Sequence, residues 1–128
     1  MSFTSGKYIA IIAAVTLGNG KGKAEGYTVC KLQMVITRGT CQGQIITKRY
    51  FYQQDLPDLM KREFLMLGIT IQSPEDVANA TDALTGKIAL LSISETDGKL
   101  KCYIDSYVGS DNPAKYAPRR DPKEQADK

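Results

Sequence analysis

The chain has no histidine and no tryptophan in its 128 residues. Without histidine the commonest general base at neutral pH is missing, and Ser-His and Cys-His catalysis go with it. Cysteine is scarce as well: Cys30, Cys41 and Cys102 are an odd number with no C-x-x-C spacing. That pattern argues against zinc and against a disulfide framework, and for a reducing, cytoplasmic setting where buried thiols act as small hydrophobes. No apolar run approaches the ~20 residues that cross a bilayer. The apolar stretch 8–17 has only Lys7 before it, Gly18-Asn19-Gly20-Lys21 after it and no small-residue cleavage site. It reads as a buried strand and not as a signal peptide. No membrane association is expected.

Acids are nearly absent from one part of the chain. Residues 1–50 hold seven cations (Lys7, Lys21, Lys23, Lys31, Arg38, Lys48, Arg49) and a single acid, Glu25. Residues 51–100 reverse this with four cations and eight acids, and residues 101–128 are close to balanced at six and five. The overall net charge of +3 therefore hides a polar molecule, one region of which should attract a polyanion.

The length is that of one domain with a real core. Residues 6–17 are apolar on both faces, as in a strand covered on two sides or bent around a barrel corner. A loop with four glycines, 18–26, carries Lys21 and Lys23 on a tip expected to be mobile. From Tyr27 the pattern alternates strictly, with Cys30, Leu32, Met34 and Ile36 on one face and Val29, Lys31, Gln33, Val35 and Thr37 on the other. After the turn Arg38-Gly39-Thr40-Cys41-Gln42-Gly43, residues 44–52 form a third strand. Ile46, Lys48, Tyr50 and Tyr52 share one of its sides; Ile45, Thr47, Arg49 and Phe51 share the other.

Then the period changes. Asp55 and Pro57 open a helix in which Leu56, Leu59, Met60, Phe64 and Leu67 follow helical spacing until Gly68. Ser73-Pro74-Glu75-Asp76 starts a second, shorter helical piece. Gly86 opens a fourth strand through Ser94, and Asp97-Gly98 is a hairpin signal leading to a fifth, 99–108. On that fifth strand Leu100, Cys102, Ile104 and Ser106 point one way and Lys101, Tyr103, Asp105 and Tyr107 the other. Residues 109–128, with Pro113, Pro118 and Pro122 and many charges, read as a disordered tail after a domain of 1–108.

Three strands, a main helix, then two strands predict an all-β fold: a five-stranded Greek-key barrel of the OB type, with the helix between strands three and four plugging one end. In that fold ligands cross strands two and three, between the loop joining strands one and two and the last hairpin. The run Gly6-Lys7-Tyr8, the Gly/Lys loop, the long strand ending in Arg38-Gly39, Gly43, Leu67-Gly68-Ile69 and Leu84-Thr85-Gly86-Lys87 together resemble bacteriophage single-stranded-DNA-binding proteins of the OB type. The resemblance covers residues 6–108. It implies sequence-nonspecific binding of single strands in phage DNA replication or recombination, within the host cytoplasm and by associated copies of the chain. Bacterial single-strand binders end in an acidic tail with a hydrophobic tip, whereas Gln125-Ala126-Asp127-Lys128 has neither character, so partner recruitment through such a tip is not implied.

A single strand offers phosphates, which need Lys and Arg, and unstacked bases, which need rings. Lys48-Arg49-Tyr50-Phe51-Tyr52 interleaves the two. The expected contacts are Lys21, Lys23, Lys31, Lys48, Arg49, Tyr50, Tyr52, Lys99, Lys101 and Tyr103, with Phe51 assigned to the core. Regular alternation sets Arg49 opposite Tyr50, so both reach a ligand only if the strand bulges. Stacking alone does not separate DNA from RNA. The rival reading is a protein-interaction or virion-structural barrel, with Val29, Val35 and tyrosines as its contact surface. No enzyme, metal or cofactor is read: Asp55, Asp58, Glu63, Glu75 and Asp76 suit helix capping and solvation, and Gly18-x-Gly20-x-Gly22 leads into a strand where a dinucleotide loop needs a helix.

Overall fold

The computed structural model of the chain describes residues 5–39 and 41–116. Five strands, β1 (Gly6–Asn19), β2 (Thr28–Ile36), β3 (Ile45–Tyr52), β4 (Lys87–Thr96) and β5 (Lys99–Ser110), form one antiparallel sheet in the order β3-β2-β1-β4-β5. Two helices, α1 (Asp58–Met66) and α2 (Pro74–Leu84), connect β3 to β4.

The placement of β2 follows from its alternation. Cys30, Leu32, Met34 and Ile36 of β2 are buried in the main core, as their period of two predicts. In β1 the apolar residues on both faces have a specific cause. Ile12 pairs with Met34 and Ala14 with Gln33, so Ala13 is an extra residue in a β-bulge. The bulge switches the inward set from Ala10 and Ile12 to Val15, which turns Thr16 and Gly18 toward the outer face. At the end of the hairpin β4–β5, Asp97 (φ 54°) and Gly98 (φ 76°) both take positive φ, the requirement of a type I′ turn.

The helices close the core from one side. Leu56, Met60, Phe64 and Leu67 are buried. Gly68, at φ 82°, ends α1 with Ile69 N–H donating to Phe64 O and Gly68 N–H to Leu65 O, the paired bonds of a Schellman cap. Ser73 caps α2 through a reciprocal bond pair with Asp76, and Pro74 occupies the first helical position. The second helix is not the shorter one: α2 has 11 residues and α1 has 9. The expectation of one main helix is corrected to two, because Val77, Ala80 and Leu84 give α2 its own buried stripe.

The five-stranded antiparallel sheet is as expected, but among the described residues no strand ladder closes it into a barrel. Among the described residues β3 and β5 are the two edges of the sheet and share no strand ladder. Side chains bridge them instead: Lys48 of β3 donates to Cys102 O of β5, and Glu63 of α1 accepts the Ile104 N–H at 2.6 Å. Secondary structure also runs past the boundary expected at 108. β5 reaches Ser110, and a 3₁₀ turn over Pro113–Tyr116 packs against β1. The rest of the expected tail, 117–128, lies outside the described residues.

Candidate nucleic-acid interface

The β2–β3 pairing is regular throughout, with Lys31 opposite Arg49 and Val29 opposite Phe51. No bulge re-aims β3, so its two faces stay apart. Lys48, Tyr50 and Tyr52 point inward, at 9%, 5% and 2% exposure. Arg49 and Phe51 point outward, and the Phe51 ring is 43% exposed. Four of these five residues had been expected at a binding surface, with Phe51 in the core. The fold reverses the rings: Tyr50 and Tyr52 are core, and Phe51 is the surface ring.

Arg49, the cation that regular alternation separates from the tyrosines, joins the other cations as a result. A groove of about 600 Å³ is lined by Thr16, Gly18, Lys21, Lys23, Val29, Lys31, Arg49 and Phe51. Lys31 and Arg49 form its floor as a cross-strand pair, two like charges side by side. Such pairing is destabilising by a few tenths of a kcal/mol or more without an anion. Among the described residues none of Lys21, Lys23, Lys31 and Arg49 makes an ion pair. The groove is therefore an uncompensated positive surface around one exposed ring.

The loop wall is built and not a loose tip. Gly20 N–H donates to Tyr27 O at 2.8 Å, and a 3₁₀ turn spans Gly22–Ala24, with Glu25 N–H bonded to Gly22 O. A Cβ on Gly20 would lie 2.2 Å from Ala24 O, so only glycine lets the loop fold this tightly.

Two neighbouring grooves extend the surface. Phe51 also lines one with Tyr27, Thr28 and Gln53. Arg49 also lines one with Thr47, Leu100, Lys101 and Tyr103. Exposed rings Tyr27, Phe51 and Tyr103 thus follow one another across three adjoining grooves; the cations line the two that hold Phe51 with Arg49 and Tyr103 with Lys101, while the groove at Tyr27 carries Asp55 and no cation. Of the residues expected on the last strand, Lys101 and Tyr103 line the groove beside Arg49. Lys99, exposed beside the hairpin turn, lines none of the three grooves.

Lys48 and Tyr50 serve the interior. Glu63 Oε1 lies 3.1 Å from Lys48 Nζ and accepts the Tyr50 hydroxyl at 2.6 Å. Burial, reinforced by the Glu63 charge, pushes the Tyr50 phenol far above its ordinary value, so it stays a neutral donor. Burial likewise raises the Cys30 and Cys102 thiols to about 11, which makes both inert at neutral pH. Glu63, expected to be a solvated helix acid, is 1% exposed. Its position on the α1 face shared with Met60, Phe64 and Leu67 is the one signal that marks it.

The rival contact surface loses a member, since Val35 is fully buried and Val29 half-buried. Among the described residues no helix is long and apolar enough to cross a membrane. Compared with protein-family models and with curated proteins, the chain finds no match.

Proposed function

We propose that this protein binds single-stranded DNA without sequence preference through the outer face of β2 and β3. The observation that carries the reading is the groove in which Lys21, Lys23, Lys31 and Arg49 surround the exposed Phe51. Phosphates meet unpaired cations there, and a base can stack on the ring, a contact worth ~1–3 kcal/mol per base that every base can make. Lys101 and Tyr103 continue the path at one end and Tyr27 at the other.

The same reading extends to the fold. An order of β3-β2-β1-β4-β5 with β3 and β5 joined by side chains supports an OB-type barrel whose last seam is sealed by Lys48 and Glu63 in place of a ladder. The resemblance of residues 6–108 to phage single-strand binders adds replication or recombination as the setting and self-association along the strand as the mode.

Fluorescence anisotropy of labelled oligo-dT tests the proposal. Four engaged cations give a salt slope of roughly −0.7 per contact, so raising salt from about 50 to about 200 mM should weaken binding roughly 50-fold. Binding that is absent at low salt, or indifferent to salt, contradicts the reading. A fixed oligomer that purifies free of nucleic acid would favour the protein-interaction alternative.

A further inference from the structure

Tyr103 is an exposed ring, 42% accessible, on an edge strand, where backbone is ordinarily least restrained. Here it is held from three directions. The carbonyl of Cys102, just before it, accepts from Lys48 Nζ. The N–H of Ile104, just after it, donates to Glu63 Oε2 at 2.6 Å. The Lys48 ammonium also lies 5.2 Å from the centre of the Tyr103 ring, within the range of a cation–π contact. The β4–β5 register then shifts between Ile104 and Ser106, which leaves Asp105 as an extra residue in a bulge. The clamp sits immediately before the point where the strand bends.

Stability alone does not account for charges at this place. Their side chains are 9% and 2% exposed, and buried ion pairs commonly contribute no more than apolar residues of the same size. An apolar pair could fill the volume, but it could not bind a carbonyl and an N–H on either side of one residue. We propose that Lys48 and Glu63 are positioning residues for Tyr103, which fix the ring as a base-stacking platform in the groove it lines with Arg49 and Lys101. This inference rests on the nucleic-acid reading above.

The test uses the full chain, oligo-dT and an abasic oligomer of the same length. The variant K48M/E63Q removes both charges together and keeps an amide for Tyr50 and Ile104, so no lone buried charge remains. Tyr103→Ala should weaken oligo-dT binding about tenfold, the loss of one stacked base. K48M/E63Q should weaken it about threefold, the size of a modest cation–π contact, with the salt slope unchanged. It should cause no further loss in the Tyr103→Ala background and no loss for the abasic oligomer. In the free protein the ring resonances of labelled Tyr103 should move.

Wild-type affinity in K48M/E63Q, or no loss in Tyr103→Ala, overturns the inference while leaving the groove intact. So does a loss that persists without Tyr103 or without bases, because Lys48 would then act through its charge. Failure of the wild type to bind oligo-dT at all overturns the nucleic-acid reading, and this inference with it.

Discussion

Replacing Glu63 with alanine removes one carboxylate and strands three partners. The Tyr50 hydroxyl and the Ile104 N–H each lose a 2.6 Å bond, and the Lys48 ammonium, 9% exposed, loses its counter-charge at 3.1 Å. Breaking a buried pair from one side costs about 3–5 kcal/mol, chiefly because the remaining charge stays desolvated. Domains of this kind are stable by about 5–15 kcal/mol in total, so roughly a fifth or more of the stability should go. At roughly 3–5 °C per kcal/mol for a chain of this length, the melting temperature should fall by about 10–25 °C. Urea unfolding followed by far-ultraviolet circular dichroism measures the loss directly. The charge-neutral K48M/E63Q should lose only about 1 kcal/mol, since it leaves no unpaired ion. If Glu63→Ala unfolds within about 1 kcal/mol of the wild type, or if the double variant is equally damaged, the desolvation argument is wrong.

The outward and inward rings of β3 should part company on substitution. Phe51→Ala should weaken oligo-dT binding about tenfold with little change in urea midpoint, whereas Tyr52→Ala should cost about 3 kcal/mol of stability; the reverse pattern refutes the face assignment. Gly20→Ala drives a Cβ to 2.2 Å from Ala24 O, so the loop must open, at about 1–3 kcal/mol, and a variant with unchanged stability and affinity contradicts that geometry. Hydrogen bonds from Lys7 and Ser92 hold the Asp105 carboxyl below its ordinary value. A lowered folded-state pKa stabilises above the unfolded value, and that contribution is lost as pH falls through the folded one. Asp105→Asn should therefore be less stable than the wild type at pH 7 and flatten the acid side of its stability profile, as paired urea midpoints at neutral and acid pH will show.

Where a strand had one clean face, its placement was legible. Cys30, Leu32, Met34 and Ile36 alternate against a face that carries Lys31, Gln33 and Thr37 and are buried together, and Asp97-Gly98, Gly68 and Ser73-Pro74 mark their turn, stop and cap at the residues expected. On β3 the period was just as regular but carried no sign. Each face has an isoleucine, a cation and at least one ring, so alternation separates Lys48 and Tyr50 from Arg49 and Phe51 without saying which pair faces inward. The deciding partner, Glu63, lies on a helix after a change of period, and only tertiary packing joins it to Lys48. The bulge at Ala13 is hidden for a similar reason: a strand apolar on both faces does not reveal where its inward set switches. The open seam could not be read either, because a ladder and a pair of bridging side chains leave the same element order.

A single strand carried, as proposed, on the outer face of β2 and β3 must perturb the residues of that face first. Titrating unlabelled oligo-dT into isotope-labelled protein and following the amide resonances locates the contact residue by residue. Shifts should concentrate at Lys21, Lys23, Lys31, Arg49 and Phe51 and reach Tyr27 and Tyr103 at the ends, with α2 unmoved. Shifts centred on α1 and α2, or none at oligonucleotide concentrations that saturate single-strand binders, would contradict that proposal.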